Sequence, residues 1–447
     1  MTSLFRLYIQ FALVLLLGSL AFGLLATFAF LYPETYNSFL PFYQLRPFHV
    51  SAALFWIITG ATAGIMHFKK EVFFDVKIRK WPDHTFIVIW IATILAIFAC
   101  YSFRLFGGRE YWEFPPILCL PLLVSWLIYT GSYFIQWVRS KQPKPVYVYM
   151  WSTGIFFFLV TFLEQNLWQI PWFRSSFLKE ITVQWKSNGS MVGAWNQMIY
   201  GTIVYIMVKI SGKNTIAEGK KVYFFYFLGL INLMFNWGHH IYNVPNGSWI
   251  RNVSYVVSVT ELLFFVNIII GFKNTLDERR RLKHMIPYRF LNAAEFWVFA
   301  NLALVLFMSV PAVNRYTHGT HITVAHAMVA TIGINSMILL GSLGYMMKID
   351  EQPEKMKRLI NIAYWISQVS LLFFWLSLVA AGIIKGYRSV TLNMTNFQEM
   401  MEPVMKVIKI FSIAGIGLVI GLGIIAVCYI SVITKRNTGT LEIQMSV

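Results

Sequence analysis

The chain has 447 residues, 57% of them hydrophobic and only 13% charged, with a mean hydropathy of +0.60. A soluble domain carries about 25% charge, so the composition excludes a soluble globular protein and specifies a polytopic helical membrane protein. The net charge of +18 does not indicate nucleic-acid binding, because the basic residues fall in short loops between apolar runs, where they act as a topology signal.

A membrane helix needs about 20 mostly apolar residues. Twelve such spans are predicted, over residues 5–32, 47–68, 84–103, 116–138, 148–168, 189–210, 221–240, 249–272, 287–313, 322–348, 359–384 and 407–434. The first is too long for a signal-peptide core and lacks a convincing cleavage site, so it reads as a retained helix. Basic clusters follow every second span. They include Lys69, Lys70, Lys77, Arg79 and Lys80 after the second span, and Lys273, Arg279, Arg280, Arg281 and Lys283 after the eighth. The positive-inside rule then places these loops and both termini in the cytoplasm. No soluble domain, linker or internal repeat interrupts the pattern, so the whole chain, 1–447, reads as one transmembrane domain. Cys100, Cys119 and Cys428 form no CxxC or CxxCH motif, which excludes an attached c-type haem and a disulfide framework.

This topology puts chemistry-bearing residues at one face. His49 begins the second span, Asn188 precedes the sixth, His239 and His240 end the seventh, and His326 begins the tenth. All five fall on the outer side. Imidazoles converging from separate membrane helices suit a haem and metal site, and adjacent histidines beside a membrane are costly unless something binds them. His326 and Met328 are two residues apart, which on a helix turns them to nearly opposite sides. One helix can therefore serve two haems, with His49 as the second axial ligand of one and the His239-His240 pair facing the other across a second metal. The plainer readings are a helix N-cap for Asn188, a core methionine for Met328, a packing hydrogen bond for Glu261 and solvated loop acids for Glu110 and Glu113. His318 and His321 read as outer-loop residues, and His67, His84 and His284 as ordinary interface histidines near the cytoplasmic side. No polar proton channel from the cytoplasm is evident.

The ordered segments Arg46-Pro47-Phe48-His49, Gly108-Arg109-Glu110-Tyr111-Trp112-Glu113, Gly238-His239-His240, Thr260-Glu261-Leu262-Leu263-Phe264-Phe265 and Tyr316-Thr317-His318-Gly319-Thr320, leading into Ala325-His326, resemble the catalytic large subunit of cytochrome-c-dependent nitric oxide reductase, in the haem–copper oxidase superfamily. The resemblance implies two b-type haems, one low-spin and one high-spin, with a non-haem iron or copper. It implies that His49 and His326 are haem ligands and that His239 and His240 hold the metal. Glu110 matches an acid that helps hold calcium, and Glu261 a membrane carboxylate that supplies protons or sets the site's electrostatics. It also implies nitric oxide as substrate, a cytochrome c subunit or a soluble cytochrome or cupredoxin as electron donor, and a bacterial cytoplasmic membrane with the active site toward the periplasm.

The chain departs from that family in two places. Asn188 stands where the family has a third metal-ligating histidine, and Val192 and Asn196 stand where it has glutamates. Positions 188, 192 and 196 share a helix face, so one whole stripe has changed. Such a pattern is similar to that of nitric oxide dismutases. Met328 stands where the family has the other low-spin haem ligand, a histidine; methionine ligation raises a haem's potential. Reduction of nitric oxide to nitrous oxide is the first expectation. Dismutation to dinitrogen and dioxygen, and a non-catalytic electron-transfer or gas-sensing role, are the alternatives, with a haem-free transporter last.

Overall fold

The structure, a computed structural model, describes residues 2–77, 79–241, 244–245, 247–250, 252–257 and 278–445. Among them regular structure is helical throughout, apart from one isolated bridge between Arg109 and Trp112. The long helices are α1 (Ser3–Leu31), α2 (Phe42–Val72), α3 (Trp81–Ser102), α4 (Cys119–Arg139), α5 (Val146–Gln165), α6 (Phe177–Ser211), α7 (Lys220–Phe235), α8 (Met285–Ser309), α9 (His321–Met346), α10 (Glu354–Val390) and α11 (Phe397–Met445). Ten of these, all but α7, are long and apolar enough to cross a membrane.

Twelve spans were expected. The seventh is the 16-residue α7, which passes into a tighter 3-10 turn over Asn236–Ile241. The eighth falls largely on residues 258–277, outside the described ones. Two further helices begin earlier than their apolar windows. α2 starts at Phe42 and carries Pro47 inside it, so that proline does not mark the first turn. α6 starts at Phe177, where the Ser176 side chain accepts the Lys179 N–H and caps the helix. Its first three turns are amphipathic rather than apolar, so hydropathy alone misses them. Asn188 consequently lies well inside α6 and is not its N-cap. α9 also departs from the regular helix expected for it, because Val329–Ser336 is wound as a wider π-helix. Such segments are rare and gather at functional sites.

α2 and α6 form the inside of the bundle. Burial reaches 83% and 72% of their apolar windows, against 39% for α1. Small residues let these helices approach closely. Gly64 of α2 packs on Thr202 of α6, and one turn on the Phe68 ring lies 4.7 Å from that of Tyr205. On the other side, Trp56 Nε1 donates to Ser336 Oγ of α9 at 2.9 Å, and one turn on Gly60 packs against Leu339. Both pairs of contacts advance in the same direction along the chain, so α2, α6 and α9 run parallel and in fixed register. Where α2 meets α3, the Lys69 ammonium is wholly buried and bonds Asp83 Oδ1 at 2.8 Å.

Candidate functional site

The register of α2, α6 and α9 sets the depth of the candidate residues. His49 lies 15 residues before Gly64, and Asn188 lies 14 before Thr202. His49 also lies 11 before Gly60, as Met328 does before Leu339, with His326 half a turn beyond. At about 1.5 Å per residue these four occupy one layer across three parallel helices. The layer is nearer the starts of the helices, away from the end that carries the basic loops.

His49, His326 and His240 are each held by a neighbour from another helix. His49 packs on α1, where its Nδ1 sits 2.7 Å from the Ser19 carbonyl oxygen. Nδ1–H donates there, which leaves the ring's lone pair at Nε2, the orientation a metal-ligating histidine needs. Gly23 makes room for the ring, because a Cβ at that position would lie 2.7 Å from Nδ1. His326 behaves similarly. Its Nδ1 lies 3.1 Å from Asn301 Oδ1 on α8, and this bond also directs the lone pair to Nε2. Met328 packs half-buried against the core of the bundle.

The third wall is α6 with the turn that follows α7. Trp185 of α6 stacks on the His240 ring, with centroids 5.0 Å apart and planes within 8°. Gly189, four residues on, lets the Trp237 backbone approach; a Cβ there would lie 3.0 Å from Trp237 Cα. Asn188, next to Gly189, is thus carried to the level of the His239-His240 turn. It is 1% exposed, and neither its amide nitrogen nor its oxygen has a hydrogen-bond partner. A buried amide left unsatisfied costs about 1–3 kcal/mol, so these atoms suit a group that bonds them from the site side. His49, His326, His240 and Asn188 are of the donor types that ligate haems and metals, and among the described residues no three His, Cys, Asp or Glu side chains gather around one point. The side chain of His239, and Glu261 altogether, lie outside the described residues.

The loop acids take up a different task. Glu110 and Glu113 both bond the Arg46 guanidinium, one turn before His49. Burial pushes the Glu113 carboxyl above its usual range, with Arg46 opposing the shift. Arg109 pairs with Glu180 at 2.7 Å and lies over the Trp168 ring, while Lys186 pairs with Glu164. The motif that suggested a calcium site is thus also the clamp that ties the loop after α3 to α2 and α6. His321 stands at the first position of α9 and His318 just before it, neither among the layer's residues. Sequence reasoning missed Ser19, Gly23, Asn301 and Trp185. Only Gly23 has any signal in the sequence, and a lone glycine in a membrane helix is too common to be one.

Residues 3–418 match the family described as cytochrome c and quinol oxidase polypeptide I. The chain belongs to this family. It is therefore an integral membrane member of the haem–copper oxidase superfamily, whose members are oxidoreductases that bind haems and a copper or iron centre. Among curated relatives it is 24% identical over 412 residues to a nitric oxide reductase chain of Stutzerimonas stutzeri, covering 85% of this chain and 83% of the relative. It is 22% identical over 375 residues to cytochrome c oxidase subunit 1 of Rhodobacter capsulatus, covering 78% and 68%. A solved haem–copper terminal oxidase dimer shares the fold with a TM-score of 0.74 at 14% identity, covering 97% of this chain and 84% of that one.

Proposed function

We propose that this protein reduces nitric oxide to nitrous oxide at a high-spin haem paired with a non-haem metal. The observation that carries the reading is the layer in which His49, Asn188, His240, His326 and Met328 share one depth, in a chain similar to a nitric oxide reductase across most of that relative's length. The balance is two nitric oxide molecules, two electrons and two protons giving nitrous oxide and water. Electrons come from a cytochrome or cupredoxin donor. Bound haem and metal would supply an iron that takes the substrate and a Lewis acid that polarises it. The chain's own residues hold those ligands in place: the Ser19 carbonyl aims His49, Asn301 aims His326, and Trp185 fixes the plane of His240. His49 and Met328 would serve the low-spin haem, His326 the high-spin haem, and His239, His240 and Asn188 the metal, with Glu110 at a calcium ion and Glu261 as the membrane carboxylate.

The test is purified protein in proteoliposomes with nitric oxide and a chemical reductant, read by gas electrode and mass spectrometry. Stoichiometric nitrous oxide supports the reading; no consumption of nitric oxide overturns it. A second reading rests on Asn188, Val192 and Asn196, which put no carboxylate and one imidazole fewer on the metal-facing stripe. Dismutation to dinitrogen and dioxygen needs no net electrons, so it would proceed without reductant and release dioxygen.

A further inference from the structure

We infer that a column of aromatic side chains carries single oxidising equivalents from the layer of candidate ligands to Tyr129, at the basic end of the bundle. The inference rests on the proposed function only for the source of those equivalents, not for the existence of the column. It begins at Trp112, next to Glu113, whose carboxylate bonds Arg46 one turn before His49. The Trp112 ring lies 5.8 Å from that of Phe55 on α2, and Phe55 lies 5.6 Å from Trp90 on α3. Trp90 is 5.8 Å from Trp126 on α4, and Trp126 is 5.6 Å from Tyr129. Centroids at these spacings are in contact, and all five rings are buried. Indole and phenol give up single electrons far more easily than aliphatic side chains, so an electron crosses the column in short hops, with Phe55 as a bridge that holds no charge.

Packing accounts for the rings but not for the phenol at the end of the column. The Tyr129 hydroxyl is buried and has no hydrogen-bond partner. Such a group is costly, and phenylalanine would fill the space as well. Beside it stand the charges that oxidation of a phenol needs. The Lys69 ammonium is 5.6 Å from the Tyr129 ring centroid and is held on Asp83 Oδ1 at 2.8 Å. A phenol loses an electron readily only when its proton leaves too, and a carboxylate is a base for that proton. Tyr129 loses one electron through Trp126, Trp90 and Phe55 toward Trp112 and one proton to Asp83, and becomes a neutral phenoxyl. The electron fills a one-electron vacancy left at the layer by a peroxide-class oxidant. An electron from the cytochrome or cupredoxin donor later returns along the column, Asp83 gives the proton back, and the phenol is restored. Lys69 lies 20 residues after His49 on α2, about 30 Å along the helix. The vacancy is thus held away from His49, His326 and Met328, whose imidazoles and thioether it would otherwise oxidise.

Flash photo-oxidation of the full-length, fully oxidised protein tests the column with or without bound haem. A ruthenium polypyridyl photo-oxidant is attached at Ile117→Cys, an exposed position five residues from Trp112, with Cys100, Cys119 and Cys428 changed to serine. The flash should give a neutral tyrosyl radical by electron paramagnetic resonance. Tyr129→Phe removes a hydroxyl that bonds nothing, so the fold is kept; it should abolish the tyrosyl signal and leave a tryptophan radical. Trp90→Phe keeps a ring in place and should lower the tyrosyl yield several-fold. A merely structural Tyr129 predicts the same signal in all three proteins, and that result, or no tyrosyl radical in the parent, overturns the column. The second measurement treats the haem-loaded protein with hydrogen peroxide and maps oxidised side chains by mass spectrometry. Tyr129→Phe should raise oxidation of Met328 and Trp112 several-fold over the parent; equal oxidation overturns the layer as the source of the equivalents. If the purified protein takes up haem but consumes no nitric oxide, the proposed function fails, and the flash experiment still decides whether the column conducts.

Discussion

At the scale of single residues, the candidate haem ligands are aimed by neighbours on other helices. The Gly23 position is the sharpest case. A Cβ there would fall 2.7 Å from Nδ1 and 2.8 Å from Cε1 of His49, closer than any real contact, so the ring must tilt or α1 must retreat. Either movement breaks the bond to the Ser19 carbonyl that fixes the tautomer. Gly23→Val should therefore lower haem b to about half per chain by pyridine haemochrome, while the helical circular dichroism stays unchanged. Unchanged haem content would mean that His49 holds none. The Asn301 pair is a milder case. Asn301→Ala removes the acceptor for His326, whereas Asn301→Asp keeps an oxygen at the same reach. Second-sphere losses of this kind cost about 10–100-fold in metal affinity or activity. Carbon monoxide binding to the reduced protein should weaken in the alanine variant and persist in the aspartate one.

At the scale of elements, two helix ends are fastened by a buried ion pair and by a carboxylate cap as well as by apolar contact. The Lys69–Asp83 pair joins the end of α2 to the start of α3, and Tyr129 lies beneath it, with the ammonium 5.6 Å from the ring centroid. Removing one partner leaves a buried charge without its counter-charge, so Asp83→Asn should cost about 3 kcal/mol, read as a lowered unfolding midpoint in detergent. Asp350 works differently. It accepts the Ile286 N–H at 3.1 Å at the start of α8, and burial raises its carboxyl above the ordinary value despite nearby Lys357 and Arg289. A carboxyl raised on folding holds its proton more tightly in the folded state. Stability then falls as pH rises from the unfolded value through the folded one, and the penalty is fully present at neutral pH. Asp350→Asn keeps the cap without the charge, so it should melt higher than the parent at neutral pH. That gain should shrink on acidification toward the unfolded carboxylate range. The helices themselves were legible in the sequence because apolar runs and alternating basic loops encode them directly. What was not legible depends on contacts between helices. The early start of α6 rests on an amphipathic stretch and the Ser176 cap, and the π segment of α9 conforms to Trp56 and Trp297 packing against it. The residues of the layer were legible as types, but their supports, Ser19, Asn301 and Trp185, are ordinary residues made special only by what faces them.

At the scale of the whole molecule, the +18 charge is distributed along an axis. Basic loops mark one end, which also holds a cavity of about 400 Å³ lined by Glu71, Tyr205 and Lys209 among others, while the layer of candidate ligands lies toward the other. If the basic end is cytoplasmic, as positive-inside bias requires, the layer of candidate ligands lies toward the outer side, and the side from which the proposed reaction draws its protons becomes measurable. Protons drawn from the inner side to meet electrons from the outer one would make the proposed turnover move charge across the membrane. A reversed insertion would exchange the two sides and give a potential of opposite sign. Single-cysteine labelling decides between them. With Cys100, Cys119 and Cys428 all changed to serine, Lys141→Cys marks the basic end and Asn393→Cys the other, and both positions are exposed. An impermeant thiol reagent should reach Asn393→Cys in intact spheroplasts and Lys141→Cys only in inverted vesicles. In oriented proteoliposomes with outside donor, the interior should then alkalinise and the membrane charge inside-negative during turnover. Alkalinisation of the outer medium alone, with the same labelling pattern, would show that the protons come from the donor's side.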